Sequence, residues 1–390
     1  MKTIIQKFGG TSVATKEGRE LCANAIKVRK DEGFDVVVVV SAMGRSGEPY
    51  ATDTLKELAE DAFPEVSEND SDLLLSCGEI ISSVVMVQTL KKIGLEAISL
   101  TGAQAGILTD ENSGNANIKK VYPTNLLQIL ESDKIPVVAG FQGISESGNI
   151  TTLGRGGSDT TACALGVAIK AEFVEIFTDV PGIMSADPNI IPESRLLNEI
   201  SYSEAFQMAN QGAKVIHPEA AELSKNADIP LIIRTAFQKG KGTKVYNFSP
   251  EHTITAVTSK TNITFVKISG KAKTEVFSLI ADSEISADFI DIRPGEITFI
   301  FSSELKNKVK SVLSEYDFTL SDDFVKISVI GAGMTGKPGV MAKVVECLKG
   351  IEIYQSTDSH TTISCLIKKD KETEALQALH SGFGLGSKRM

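Results

Sequence analysis

The sequence predicts an α/β protein, a mainly parallel sheet sandwiched by helices, followed by two small β-α-β-β-α-β modules. Three observations carry this. Through the first 245 residues, short apolar runs alternate with glycine-rich turns and longer amphipathic stretches, the order expected of a parallel sheet covered by helices. Those runs are mostly continuous rather than alternating, as strands buried on both faces read. Beyond about residue 245 the texture changes, and the pentapeptide Phe-Val-Lys-Ile-Ser occurs twice, at 265–269 and 324–328, 59 residues apart.

The apolar runs place strands at 3–8, 36–40, 97–100, 136–141, 173–177 and 230–233, with helices at 16–30, 73–93, 159–170 and 202–213. Small, flexible segments follow the strands: Gly9-Gly10, 41–44, Thr101-Gly102, 140–143 and Thr178-Asp179. Open α/β sheets bind ligands outside the carboxyl ends of their strands, so these segments are expected to share one rim and one site. Each copy of the pentapeptide precedes a loop, a helix (274–281; 340–349), further strands and a final amphipathic helix (304–315; 371–380). That order is a ferredoxin-like unit, and its recurrence indicates a duplicated module of about 60 residues. The expected division is 1–245 for the larger domain, 246–262 for a linker, and 263–322 and 323–390 for the two modules.

At 390 residues, with 42% hydrophobic and 23% charged residues, the chain is an ordinary multidomain globular protein. Its net charge of −10 argues against nucleic acid as a main partner, which needs a clustered basic face. A nucleotide pocket, needing only one or two lysines among glycines, stays open. No run approaches the roughly 18 apolar residues of a membrane helix, and the opening MKTIIQKFGGTS lacks a signal peptide's apolar core. The five cysteines (Cys22, Cys77, Cys163, Cys347, Cys365) are scattered and read as buried thiols of a reducing cytoplasm. Four dispersed histidines add no metal site. The chain is therefore expected to be soluble and cytoplasmic, with no membrane partner.

One motif misleads. Residues 329–336 satisfy G-x-G-x-x-G through Gly331, Gly333 and Gly336, but only about 50 residues follow, too few for a dinucleotide domain. Lys337 is followed by Pro338, where a phosphate-binding P-loop needs Ser or Thr. The better reading is a regulatory loop with Pro338 in a first helical turn, whose backbone N–H groups suit a small amino acid's carboxylate.

Three clusters carry the chemistry. In Lys7-Phe8-Gly9-Gly10-Thr11-Ser12 the glycines admit an anion close to the backbone and Lys7 adds a point charge; a plain tight turn is the alternative. In 154–161, Gly-Arg-Gly-Gly-Ser-Asp-Thr-Thr, Arg155 stands as a bidentate fork among bare backbone donors. Helix capping accounts for the Ser-Asp-Thr-Thr run but not for an arginine between glycines. The third, 177–182 followed by Ser185-Ala186-Asp187-Pro188, can face a nucleotide or simply turn.

At these residues the sequence resembles the aspartokinase family, of the amino-acid kinase fold with two C-terminal ACT modules. KFGGTSV, LLSCGE around Glu79, GRGGSDTTA, FTDVPGI and GAKVIHP carry the likeness over essentially the whole chain. The stretch MGRSGEPYATDTL and the later STDSHTTIS look most like the diaminopimelate-inhibited isoform of Gram-positive bacteria. The resemblance implies transfer of the ATP γ-phosphoryl group to the side-chain carboxylate of L-aspartate, the committed step toward lysine, diaminopimelate, threonine and methionine. By position, Lys7 and Lys214 would neutralise the phosphates, Gly9, Gly10 and Ser41 would line their path, and Asp159 would hold the two lysines. Thr178, Asp179, Met184 and Asn189 would face the nucleotide. Glu79 would bind the ammonium of aspartate and Arg155 a carboxylate, with Thr52, Gly156, Gly157 and Ser158 completing the substrate site. Asn189 stands where the family usually has Arg, and Met184 where some relatives carry Tyr, so altered ATP contacts are expected.

The physics agrees with that implication. A carboxylate is already ionised at pH 7 and needs no general base; the site must instead cancel the repulsion between two anions. Magnesium carried mainly by ATP would leave no dedicated metal cage. The resemblance also implies at least a homodimer through the ACT modules. An amino-acid effector (diaminopimelate, with lysine or threonine behind it) is expected near 356–362 or 331–339. The competing readings are another acyl-phosphate kinase of the same fold, such as a glutamate or acetylglutamate kinase, and a catalytically impaired amino-acid sensor. Glu79 speaks against acetylglutamate, whose amine is blocked.

Overall fold

The computed structural model describes residues 2–213, 216–238, 240–248, 252–270, 275–334 and 336–386. They form two compact units: Met1–Ile183, Leu196–Ala209 and Lys214–Phe248 make the first, and Met184–Arg195, Asn210–Ala213 and Ser249–Met390 the second.

The first unit runs β1 (Thr3–Phe8), α1 (Gly10–Val13), α2 (Lys16–Asp31), β2 (Asp35–Val40), α3 (Thr52–Ala62), α4 (Glu68–Lys92) and β3 (Ala97–Leu100). It continues through β4 (Ile107–Thr109), β5 (Ile118–Val121), α5 (Thr124–Glu131), β6 (Ile135–Ala139), β7 (Gln142–Ile144), β8 (Ile150–Thr152), α6 (Gly157–Ile169) and β9 (Val174–Phe177). It closes with β10 (Glu199–Ser201), α7 (Tyr202–Asn210), α8 (Pro218–Ala227), β11 (Leu231–Arg234) and β12 (Thr243–Tyr246). Eight strands lie in the order β10-β12-β11-β9-β1-β2-β6-β3, and every neighbouring pair is parallel except β11 with β12. Val36 through Val40 are fully buried, which is why that strand reads as an unbroken valine run. Because β1, β2, β6 and β9 are parallel, the segments after them emerge on one rim. A smaller sheet, β5-β4-β7-β8, was not foreseen; its strands are three or four residues long and too short to show a period.

Helix α4 is long and apolar enough to span a membrane by length and composition, contrary to the expectation that no stretch approaches that limit. It packs instead on β3, β6 and β8. Asp72, Ser76, Glu79, Ser82 and Ser83 are buried along it, so polar side chains make up much of its packed face.

In the second unit, β14 (Ile263–Ser269), α9 (Glu275–Asp282), β15 (Asp288–Arg293), β16 (Glu296–Ser302), α10 (Lys306–Val312) and β17 (Phe318–Ser321) form one ferredoxin-like module with strand order β15-β16-β14-β17. The other contains β18 (Phe324–Ile330), α11 (Val340–Cys347), β19 (Gln355–Asp358), β20 (Thr362–Lys368) and α12 (Glu372–Gly382). Its fourth strand is β13 (Ala256–Lys260), in the order β13-β18-β20-β19. The first module is thus inserted between two strands of the second. Residues 256–260, expected in the linker, belong to that sheet, pairing antiparallel with β18 from Ala256 opposite Ile330 to Lys260 opposite Lys326. The two pentapeptides lie in central strands, but Lys267 is exposed while Lys326 is buried and pairs with Asp288 at 2.7 Å.

Segment Met184–Arg195, expected in the larger domain, packs with the second unit. Ala186 and Ile191 enter its core, and Ser185 Oγ lies 3.0 Å from His380 Nε2. Burial holds the His380 imidazole below its ordinary value of about 6.5, outweighing the pull of Glu193. The unfolded chain therefore binds the proton more readily than the folded one, so this contribution to stability is present above pH 6.5 and lost as the pH falls. Denaturant unfolding at pH 7.5 and 5.5 is expected to show a loss that His380→Gln abolishes.

The cysteines are all free; Cys22, Cys163 and Cys365 are buried, while Cys77 and Cys347 are only half-buried.

Candidate active site

Strand β1 ends at Phe8, and Gly9 caps the short helix that follows. A β-carbon on Gly10 would lie 2.6 Å from the Ala42 carbonyl oxygen, so only glycine lets the turns after β1 and β2 approach this closely. Gly78 does the same for α4: a β-carbon there would come within 2.9 Å of the Ala42 methyl. That contact brings Glu79 against the turn, where Oε1 accepts the Ala42 N–H at 2.9 Å. Glu79 is 2% exposed and its Oε2 has no hydrogen-bond partner. Burial pushes its carboxyl up to about 8, against the opposing effects of the Ala42 N–H and the Lys7 ammonium.

Lys7 Nζ lies 2.7 Å from Asp159 Oδ1, both side chains little exposed. Asp159 sits in the first turn of α6, whose cap Gly156 has φ +74°. A β-carbon on Gly156 would strike the His217 ring at 2.4 Å, and Gly154 is also left-handed at φ +70°. The two glycines thus shape the loop that presents Arg155 at the rim.

These groups line one cavity of about 540 Å³. It gathers Lys7, Gly10, Ser41, Thr52, Glu79, Arg155, Gly156, Gly157, Ser158 and Asp159. Gly9 adjoins it, since a β-carbon there would lie 3.7 Å from Lys7 Nζ. Thr178 and Asp179 follow β9 on the same rim, outside the cavity lining. Met184 and Asn189 belong to the second unit, where the Asn189 amide donates to Asp187 Oδ1 at 3.0 Å. Lys214 lies outside the described residues.

The sequence reading missed several lining residues, chiefly Asp53, Lys56 and Asp72. Asp72 is buried and accepts the Gly114 and Thr152 N–H groups and, at 2.5 Å, the Thr152 hydroxyl. An aspartate beside three leucines was the available signal.

A second cavity, about 960 Å³, lies within the second unit. It joins Met334 and residues 336–341 to Asp358, Ser359, His360 and Ile363, so parts of the two segments expected to bind an effector face each other. The glycines of the misleading motif have another explanation: β-carbons on Gly331 and Gly333 would strike the Thr253 and His252 carbonyl oxygens at 2.2 and 2.5 Å. Pro338 precedes the cap of α11, Gly339, rather than occupying the helix's first turn.

A parallel sheet with a charged, glycine-lined pocket at its rim, followed by ferredoxin-like modules, defines a regulated small-molecule kinase. Residues 2–235 match the amino acid kinase family and 319–381 the ACT domain. Aspartokinase 1 of Bacillus subtilis (strain 168) is 44% identical over 402 residues, covering 99% of this chain and all of that protein. An aspartokinase of Geobacillus stearothermophilus is 38% identical over 99% of this chain and 98% of its own length. The crystal structure of Escherichia coli aspartokinase III with aspartate and ADP superposes with a TM-score of 0.84 at 25% identity, covering 97% of this chain and 99% of that one. The chain belongs to the aspartokinase family, and its activity is that of an aspartate kinase.

Proposed function

We propose that the 540 Å³ cavity binds L-aspartate beside the terminal phosphates of ATP, and that its residues act by cancelling charge. Lys7, steadied by Asp159, meets the transferring phosphoryl group, with Lys214 as its second cation. Gly9, Gly10 and Ser41 line the phosphate path, while Thr178 and Asp179 face the nucleotide. Glu79 receives the substrate ammonium on its unpaired Oε2, and Arg155 forks onto a substrate carboxylate. Thr52, Gly156, Gly157 and Ser158 complete the substrate contacts.

The observation that carries this reading is the convergence of the Lys7–Asp159 pair and the buried, half-satisfied Glu79 on one cavity. The aspartate carboxylate attacks the γ-phosphorus as the ion, forming the new O–P bond while the bond from that phosphorus to the bridging oxygen breaks and its electron pair leaves on ADP. No proton has to move. Magnesium would arrive on the triphosphate oxygens and water rather than on a cage of protein ligands. When bound, that ion adds further positive charge at the phosphates.

The 960 Å³ cavity is read as the effector site. Its Lys337 and His360 suit a carboxylate, and diaminopimelate is favoured, with lysine and threonine as alternatives. The ACT modules have edge strands suited to pairing, from which a homodimer is inferred, and free cysteines suit a reducing cytoplasm.

Incubation with ATP, magnesium and each candidate acid, followed by trapping with hydroxylamine, tests the activity. Hydroxamate is expected from aspartate alone. Product from glutamate or acetylglutamate would move the assignment to another acyl-phosphate kinase, and none from any acid would leave an amino-acid sensor.

A further inference from the structure

The loop joining β2 to α3, residues 41–51, carries one cation to which the charge-cancelling scheme gives no part. Gly44 donates its N–H to the Gly10 carbonyl at 3.1 Å, tying this loop to the turn beyond Lys7. At φ +94° a β-carbon on Gly44 would meet the Glu48 carboxylate at 2.5 Å. That carboxylate accepts the Arg45 N–H at 2.6 Å, and the Glu48 N–H returns to the Arg45 carbonyl at 2.9 Å. The backbone of Arg45 is therefore fixed at the rim. Its guanidinium reaches across to Asp179, with Nη2 2.7 Å from Oδ2.

This ion pair is open to solvent, with side chains 70% and 47% exposed. Such pairs are weak and readily exchanged. The cavity lining explains why an exchange would be useful. Its cations Lys7, Lys56 and Arg155 are matched by Asp53, Asp72 and Asp159, beside the buried Glu79 that burial keeps mostly neutral, and Lys7 is already engaged by Asp159. A triphosphate entering such a lining needs further positive charge, and a guanidinium is the group that grips phosphate oxygens two at a time.

We propose that Arg45 is a phosphate-binding residue, whose guanidinium leaves Asp179 and closes on the terminal phosphates of ATP when the nucleotide binds. This rests on reading the cavity and its rim as the ATP and aspartate site. The pair with Asp179 holds the arginine at hand in the free enzyme and keeps the aspartate's charge covered until the phosphates replace it.

Calorimetric titration of ATP and AMP into wild type, Arg45→Ala and Arg45→Lys separates the contributions. Loss of one charge-assisted contact is expected to weaken ATP about tenfold in Arg45→Ala, with AMP within about twofold and the thermal midpoint unchanged. Arg45→Lys should recover part of the ATP affinity, and the aspartate KM should stay within about twofold of wild type. An unchanged ratio of ATP to AMP affinity would overturn the proposal, as would equal weakening of both, which would make the loop a support for the adenosine end. If the wild type binds ATP yet phosphorylates no aspartate, the kinase reading fails while the titration still decides the role of Arg45.

Discussion

Lys7→Ala is expected to lower kcat by about a thousandfold, with a much smaller change in the KM for aspartate. The magnitude follows from removing a preorganised charge aimed at a transition state, which costs about 10² to 10³ in rate when a single donor is lost. Here the loss is compounded. Lys7 stands 2.7 Å from Asp159, so its removal deletes a cation and also leaves a shielded carboxylate facing the incoming phosphates. Lys7→Arg should not restore the rate. The ammonium is close to Gly9, and a planar fork needs more room and a different approach than a point charge. Asp159→Asn should harm less than Lys7→Ala, because the cation stays although its position loosens. Steady-state kinetics with hydroxamate detection would check this order; a Lys7→Ala enzyme within tenfold of wild type would remove Lys7 from the chemistry.

Glu79→Gln should raise the KM for aspartate about a hundredfold while leaving the KM for ATP within about threefold. One oxygen of Glu79 is held by the Ala42 N–H and the other is unpaired. An ammonium docking there gains a full ionic partner, and truncating one half of such a desolvated pair costs two orders of magnitude or more. Burial puts this carboxyl at about 8, so the empty site holds mostly the neutral acid at pH 7. Aspartate binding must then release a proton, and apparent affinity should rise roughly 20-fold between pH 6.5 and 8.5. The glutamine variant should show no such rise.

Stability runs the other way. A group whose folded pKa stands above its unfolded value stabilises the fold fully below the unfolded value, and that contribution is lost as the pH rises through about 8. Glu79→Gln carries no ionisation cost and should unfold at a higher temperature than wild type at pH 8.5.

The strands at 3–8 and 97–100 were legible to the residue, because Ile4, Ile5 and Phe8 in one and Ala97, Ile98 and Leu100 in the other mark a buried run, and Gly9 and Thr101 end them. Helix α4 begins at Glu68 rather than 73, since its first turn is polar and its start is marked by the Ser67 cap instead of by apolar spacing. Helix α3 buries no residue and gave no stripe to read. The second module's borrowed strand was hidden for a topological reason. Its residues precede the inserted module, and no local pattern says which sheet a strand will join. In the site, lysine, arginine and glycine near strand ends announced themselves by type and place. Asp72 and Arg45 did not, because their roles depend on backbone groups and a loop crossing that exist only after folding.

The measurement closest to the central claim is the single-turnover rate of acyl-phosphate formation at saturating ATP and aspartate, followed by rapid quench between pH 6 and 9. If the site supplies charge and the carboxylate attacks as it arrives, the rate should be flat, with the pH dependence confined to aspartate affinity. A rate that climbs about tenfold per pH unit through this range would mean that a proton is removed in the chemical step, and charge cancellation alone would not be how this enzyme works.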